Sequence, residues 1–252
     1  MKIGYLGVGT IASCMIEGFC GLDSRHEFFL SPRNAEKSAA LKAKYGNVKV
    51  CESNQHVVDE ADLVFISMLA KDCLEVLGGL RFRKGQKIIN LVATIPPEDI
   101  FEAVGGQVES CSHIVPLPYI KARIGPIAAY PESRELSELL SPLGTVVFAR
   151  SIDEVRVMQS ITALMSTFFE MLHHLAVFAE GEGLGRKKAA DFMSAFFGSL
   201  SQRAKGSENL HDLALDMTPG GLNEFALNTL TESGAIKAWA DVLIPVMGRI
   251  KK

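Results

Sequence analysis

The first half of the chain alternates short runs of β-branched and aromatic residues with stretches whose apolar positions recur at helical spacing. A period near two argues for strands, and a period near 3.6 for helices. The pattern predicts strands at Lys2–Leu6, Glu27–Ser31, Val48–Cys51, Leu63–Ser67, Lys87–Leu91, His113–Pro116, Pro126–Ala129 and Thr145–Phe148. Helical stretches fall between them at Ile11–Phe19, Ala35–Tyr45, Lys71–Leu77, Pro97–Val104 and Ser133–Leu140. Several are opened by the Asn, Asp, Ser or Pro that suit a helix start. Such alternation predicts an α/β fold, a doubly wound, mostly parallel sheet covered on both faces.

After Arg150 the strand signal stops, and the rest reads as helix with breaks at Gly181–Gly185, Gly206–Glu208, Pro219–Gly221 and Ser233–Gly234. Two domains are therefore expected, an α/β domain over 1–150 and an all-α domain over 151–252. The first helix of the second domain, Asp153 to Glu180, would be roughly 40 Å long at 1.5 Å per residue. Its apolar positions, among them Val157, Ile161, Met165, Phe169, Leu172 and Phe178, cover more than the one stripe a surface helix needs. That predicts burial against a second copy of the chain, in a homodimer or a dimer-based higher oligomer. Ile161–Phe178 approaches the length of a membrane span, but Glu170, His173 and His174 interrupt it, so a protein-covered helix and no membrane is expected.

Composition narrows the class further. The 252 residues are 48% hydrophobic and 22% charged with a formal net charge of -3, which excludes a disordered chain and a strongly basic nucleic-acid binder. Met1-Lys2 runs straight into a strand, so no apolar leader is expected. Cys14, Cys20, Cys51, Cys73 and Cys111 are odd in number and form no CxxC pair. Free thiols in a reducing cytoplasm, and no metal site, are the expectation.

The chemistry concentrates at one loop. Gly7-Val8-Gly9-Thr10-Ile11-Ala12 is a GxGxxA sequence between a strand and a helix, where a dinucleotide pyrophosphate is held. Gly7 permits the tight turn, Gly9 keeps a side chain off the phosphates, Ala12 lets helix and strand approach, and the helix start offers N–H donors. A preference for NAD usually shows as Asp or Glu at the end of the second strand. Phe29-Leu30-Ser31-Pro32-Arg33-Asn34 stands there instead, and its hydroxyl and guanidinium suit a 2′-phosphate with no carboxylate to repel it. NADP(H) is therefore expected in preference to NAD(H).

With this loop, the Ser-x-Arg-Asn segment, Glu60-Ala61-Asp62-Leu63-Val64-Phe65 and the late Met217-Thr218-Pro219-Gly220-Gly221, the chain resembles the pyrroline-5-carboxylate reductase family along its whole length. The resemblance implies a Rossmann domain for NAD(P)H, a helical dimerisation domain that completes the site, and hydride transfer to the C=N bond of a cyclic imine carboxylate, as in proline biosynthesis. It assigns Gly7, Val8, Gly9, Thr10, Ile11 and Ala12 to the pyrophosphate loop, and Ser31 and Arg33 to the 2′-phosphate. Asn54 falls near the adenosine ribose, Met68 and Leu69 along the cofactor after the fourth strand, and Ala93 and Thr94 against the nicotinamide. Thr218, Gly220, Gly221 and Leu222 belong to the loop that approaches the substrate. Proline followed by two glycines at a helix start would also leave N–H groups free for a substrate carboxylate.

The departures lie on the substrate side. The family continues Pro-Gly-Gly-Thr-Thr, whereas here Leu222-Asn223 follows, so Asn223 takes over a hydroxyl's place. Leu69-Ala70 replaces Lys-Pro, and Pro116-Leu117-Pro118 replaces Pro-Asn-Thr-Pro. Glu170, His173 and Glu224 are the candidate acids on the two helical segments that the resemblance brings to the cleft. Two rival readings are a β-hydroxyacid-type dehydrogenase on the same scaffold and a non-catalytic NADP(H)-binding sensor. The first requires a lysine on the long helix, and none stands between Asp153 and Glu180.

Overall fold

The computed structural model describes residues 1–22 and 26–251. Its strands β1 (Lys2–Leu6), β2 (Glu27–Leu30), β3 (Val48–Val50), β4 (Leu63–Ile66), β5 (Lys87–Asn90), β6 (Ser110–Val115), β7 (Pro126–Tyr130) and β8 (Thr145–Phe148) form one sheet in the order 3-2-1-4-5-6-7-8. Neighbours from β3 to β6 pair in parallel, β7 runs antiparallel to β6, and β8 lies parallel to β7. The doubly wound sheet expected from the sequence is present.

A parallel sheet buried on both faces needs strands that are apolar at nearly every position, and β4, Leu-Val-Phe-Ile, is buried throughout. Ile3, Tyr5, Phe28, Leu30 and Phe65 face one core with Met15, Ile16 and Phe19 of α1 (Thr10–Cys20). Tyr5 and Phe65 stack there with ring centroids 4.7 Å apart. Leu6, Phe29, Val64, Ile66 and Ile88 face the other core with Val57 and Val58 of α3 (Asn54–Glu60) and Leu77 of α4 (Ala70–Gly78). Helices α2 (Ala35–Lys44), α5 (Pro97–Ala103) and α6 (Arg134–Leu140) complete the covering layers.

Helix α3 is absent from the sequence expectation because its residues, Asn-Gln-His-Val-Val-Asp-Glu, set two adjacent valines in an otherwise polar run that shows no helical repeat. The signal that existed was local: the Ser53 hydroxyl accepts the His56 N–H at 3.1 Å and caps the helix. Sheet order reverses at β1, with β2 on one side and β4 on the other. The carboxyl ends of strands flanking such a switch open a crevice.

The chain divides into two compact units, residues 1–159 with 250–252, and residues 160–249. The boundary thus falls inside α7 (Ile152–Thr162) and not at 150/151. The reason is packing: Val155, fully buried, joins Ala128 and Ala149 in a small cluster with Ile152 and Met158, tying the start of α7 to the sheet.

The single helix expected from Asp153 to Glu180 is two, α7 and α8 (Met165–Gly181). Ala163 and Leu164 bond back to Ser160 and Ile161 at 3.1 Å in the tighter i→i−3 pattern, which ends α7. Helices α9 (Arg186–Ala204), α10 (Leu210–Leu215), α11 (Leu222–Glu232), α12 (Ala235–Asp241) and α13 (Leu243–Ile250) follow. From α8 onward, Ala176 and Ala189 are the buried apolar residues, while Phe178, Phe192 and Phe225 are 68%, 68% and 72% exposed. Ile152–Gly181 is long and apolar enough by length and composition to cross a membrane, yet it carries Asp153, Glu154, Arg156, Glu170 and Glu180 and is broken at 163–164.

Candidate nucleotide and substrate sites

At the crevice beside β1, a cleft of about 610 Å³ is lined by Gly7, Val8, Gly9, Arg33, Met68 and Leu69, together with Asn34, Ala35, Glu36 and Ser67. Six residues expected at a cofactor therefore meet at one opening. Gly7 has φ +94°, and a Cβ there would lie 2.5 Å from the Ser67 carbonyl oxygen, so backbone conformation and close approach both require glycine. Gly9 is the N-cap of α1, whose first turn carries no acidic residue, and open space surrounds the position of its missing Cβ. Thr10 and Ile11 begin the helix, and Ala12 is fully buried against the sheet. The arrangement presents uncrowded N–H donors to an anion.

The segment after β2 holds this loop in place. The Ser31 hydroxyl accepts the Gly7 N–H at 2.9 Å, and Ser31 is 1% exposed. Its oxygen is thus committed to the glycine turn instead of facing a 2′-phosphate. Asn34, not singled out from the sequence, donates from Nδ2 to the Val8 carbonyl at 3.0 Å and accepts the Lys37 N–H, so one side chain caps α2 and anchors the loop. Lys37 donates to the Thr10 hydroxyl at 3.2 Å. The expectation that no carboxylate stands near Arg33 is corrected: Asp72, in the first turn of α4, accepts from its guanidinium at 3.0 Å. Asp72 comes from the helix after β4, so a search confined to the end of β2 does not meet it.

Asn54 is the first residue of α3 and lies outside the cleft lining. Ala93 and Thr94 follow β5 in a loop fastened by a buried amide. The Asn90 Oδ1 accepts the Val92 N–H at 2.8 Å, and its Nδ2 donates to the Ile95 carbonyl at 2.6 Å and to His113 Nδ1 at 2.9 Å. His113 is 1% exposed, and burial, reinforced by the nearby Arg156 charge, pulls its pKa down to about 4. The ring is therefore neutral at physiological pH, with Nδ1 the acceptor.

In the helical unit, Thr218, Gly220, Gly221, Leu222 and Asn223 surround the start of α11, and Thr218, Leu222 and Asn223 are exposed. The expectation of free glycine N–H groups is corrected here. Gly221 donates to the Thr218 carbonyl at 3.0 Å, and Gly220 donates to the carboxylate of Glu224 one turn along α11. A carboxylate near a helix start is favourable, and this one occupies a donor that a ligand carboxylate would otherwise use. Glu170 is exposed and lies 3.4 Å from His174 Nε2, which selects His174 over His173 as its neighbour.

All five cysteines are unpaired thiols, and burial raises Cys73 to about 11 and Cys111 to about 12, which keeps both protonated and unreactive. Among the described residues no group of His, Cys, Asp and Glu could hold a metal ion.

Comparison with known proteins sharpens the picture. The family described as NADP oxidoreductase, coenzyme F420-dependent, matches residues 2–94, the stretch that carries the glycine loop and the cleft. Pyrroline-5-carboxylate reductase 2 of Bacillus subtilis is 26% identical over 250 residues, covering 92% of this chain and 87% of that protein. Among solved structures, 1-pyrroline-5-carboxylate reductase from Streptococcus pyogenes superposes with a TM-score of 0.82 at 21% identity, covering 100% of this chain and 98% of that one. Plasmodium falciparum pyrroline carboxylate reductase with NADP bound gives 0.82 at 14% identity, covering 100% and 97%. The family resemblance read from the motifs is borne out, and both units share the fold of these structures.

Proposed function

We propose that this chain, a divergent relative of the pyrroline-5-carboxylate reductases, is an NAD(P)H-dependent oxidoreductase that reduces the C=N bond of a cyclic imine. The observation that carries this is the cleft at the β1 switch point, where Gly7 makes the tight turn, Gly9 and the first turn of α1 offer backbone donors, and Arg33 stands at the rim. These residues fit a dinucleotide. A bound nicotinamide supplies the hydride. Gly9 keeps the way to the α1 donors open, Asn34 and Ser31 fix the loop, and Arg33 biases the site toward a 2′-phosphate, so NADPH is the preferred form. The Asn90-fastened turn holds Ala93 and Thr94 for the nicotinamide.

Thr218, Asn223 and Glu170 are the hydrogen-bonding groups assigned to the imine, with Gly220, Gly221 and Leu222 shaping its pocket. Imines near neutral pH are partly protonated in solution, so a strong protein acid is not required. Because Glu224 holds the Gly220 N–H, the pocket favours an imine whose carboxylate is absent or bound elsewhere. NADPH consumption should be followed with pyrroline-5-carboxylate, piperideine carboxylates and uncharged cyclic imines. Turnover with at least one is expected, whereas tight NADPH binding with no turnover across the panel would establish a sensor instead.

The many exposed large apolar side chains of the helical unit, Phe178, Phe192 and Phe225 among them, favour a second copy of this chain as their cover. Sedimentation should give a dimer or a multiple of it, and a monomer across the micromolar range would remove this reading. A reducing cytoplasm suits both the thiols and the proposed cofactor.

A further inference from the structure

We propose that Asp72 is a cofactor-specificity residue that limits how strongly the site prefers a 2′-phosphorylated dinucleotide. The inference rests on the cofactor reading above and extends it to a residue on a different element. Arg33 is the cation lining the cleft, and its guanidinium lies 3.0 Å from the Asp72 carboxylate. The pair joins the loop after β2 to the first turn of α4, so it spans the mouth from one side of β1 to the other. Asp72 is the better anchored partner, with a side chain 30% exposed against 65% for Arg33, and a carboxylate in the first turn of a helix is held favourably by the helix dipole.

A 2′-phosphate must share Arg33 with this carboxylate or displace it. Glu36 adds a negative charge to the lining, while Lys37 is engaged by the Thr10 hydroxyl at the start of α1 and does not line the cleft beside Arg33. With Asp72 in place, the Arg33 charge is offset by its ion-pair partner and the rim carries the surplus negative charge of Glu36. Without it, Arg33 is free and the rim is balanced. The dinucleotide that lacks the phosphate brings no charge to this point and is indifferent to the exchange.

The charge-neutral Asp72→Asn therefore tightens NADPH binding by about 5- to 20-fold, the scale of one unit charge acting on a dianion across a partly solvated gap. NADH affinity stays within about twofold. Dissociation constants for both dinucleotides should be measured on the full-length protein at two salt concentrations, with thermal unfolding as a control for folding and Asp72→Ser as a second variant. The NADPH gain should shrink at high salt, and adding Arg33→Ala should abolish it. An unchanged NADPH constant in both variants, or a loss of NADH affinity without an NADPH gain, overturns the proposal. A wild-type protein that binds neither dinucleotide would instead overturn the cofactor reading on which it rests.

Discussion

Gly9→Asp is expected to lower NADPH affinity by at least roughly 100-fold while leaving the fold intact. Gly9 has φ -83° and ψ -171°, extended backbone open to any residue, and an added Cβ meets nothing within 4 Å. Aspartate is also a good N-cap, so stability should hold or rise by a few tenths of a kcal/mol. Binding behaves oppositely, because the new carboxylate stands at the helix start where the pyrophosphate would sit. Like charges about 4 Å apart repel by about 4 kcal/mol at the effective dielectric of a protein surface. Gly7→Ala makes the contrast: its φ of +94° and the 2.5 Å approach to the Ser67 oxygen make the substitution a folding defect first. Fluorescence titration with NADPH beside a thermal melt separates the two. A Gly9→Asp protein with wild-type affinity would mean that the pyrophosphate is not held at this loop.

The difference between these glycines also shows what a linear reading can reach. The central strands β1 and β4 announce themselves within their own few residues, because burial on both faces demands a nearly continuous apolar run, and the GxGxxA loop is likewise contiguous. Ser31 was legible as a residue near the cofactor, but its hydroxyl is spent on Gly7, and that depends on the β1–β2 register, in which Tyr5 lies opposite Leu30. Asp72 carries no linear mark of its role, since it meets Arg33 only after two strands have been placed on opposite sides of β1. Glu224 was closer to view. A glutamate three residues after an N-cap is the pattern of a carboxylate reaching back to the helix start, and reading it as a candidate acid hid its bond to Gly220. The unit boundary inside α7 depends on packing around Val155, which periodicity does not encode.

The largest stability effect is expected at the buried amide that fastens the loop after β5. Asn90→Leu leaves the Val92 N–H, the Ile95 carbonyl and His113 Nδ1 without the partner they share. Each buried polar group stranded in this way costs about 1–3 kcal/mol. Allowing for partial relaxation, a loss of about 3–5 kcal/mol is expected, with a fall in Tm of about 10 °C or more for a chain of this size. His113 adds a pH signature. The folded protein keeps it neutral down to about pH 4, whereas the unfolded chain protonates it near its ordinary value of 6.5. Between those values the unfolded state binds the extra proton, so this residue's contribution is intact above pH 6.5 and declines as the pH falls toward 4. Integrated over that window, the loss is about 3 kcal/mol. His113→Leu should flatten the acid limb of a denaturation series by about that amount relative to wild type, the carboxylates being common to both proteins. Parallel curves for the two would mean that His113 is as free to protonate in the folded protein as in the unfolded chain, and that the Asn90 contact does not hold it in the neutral form.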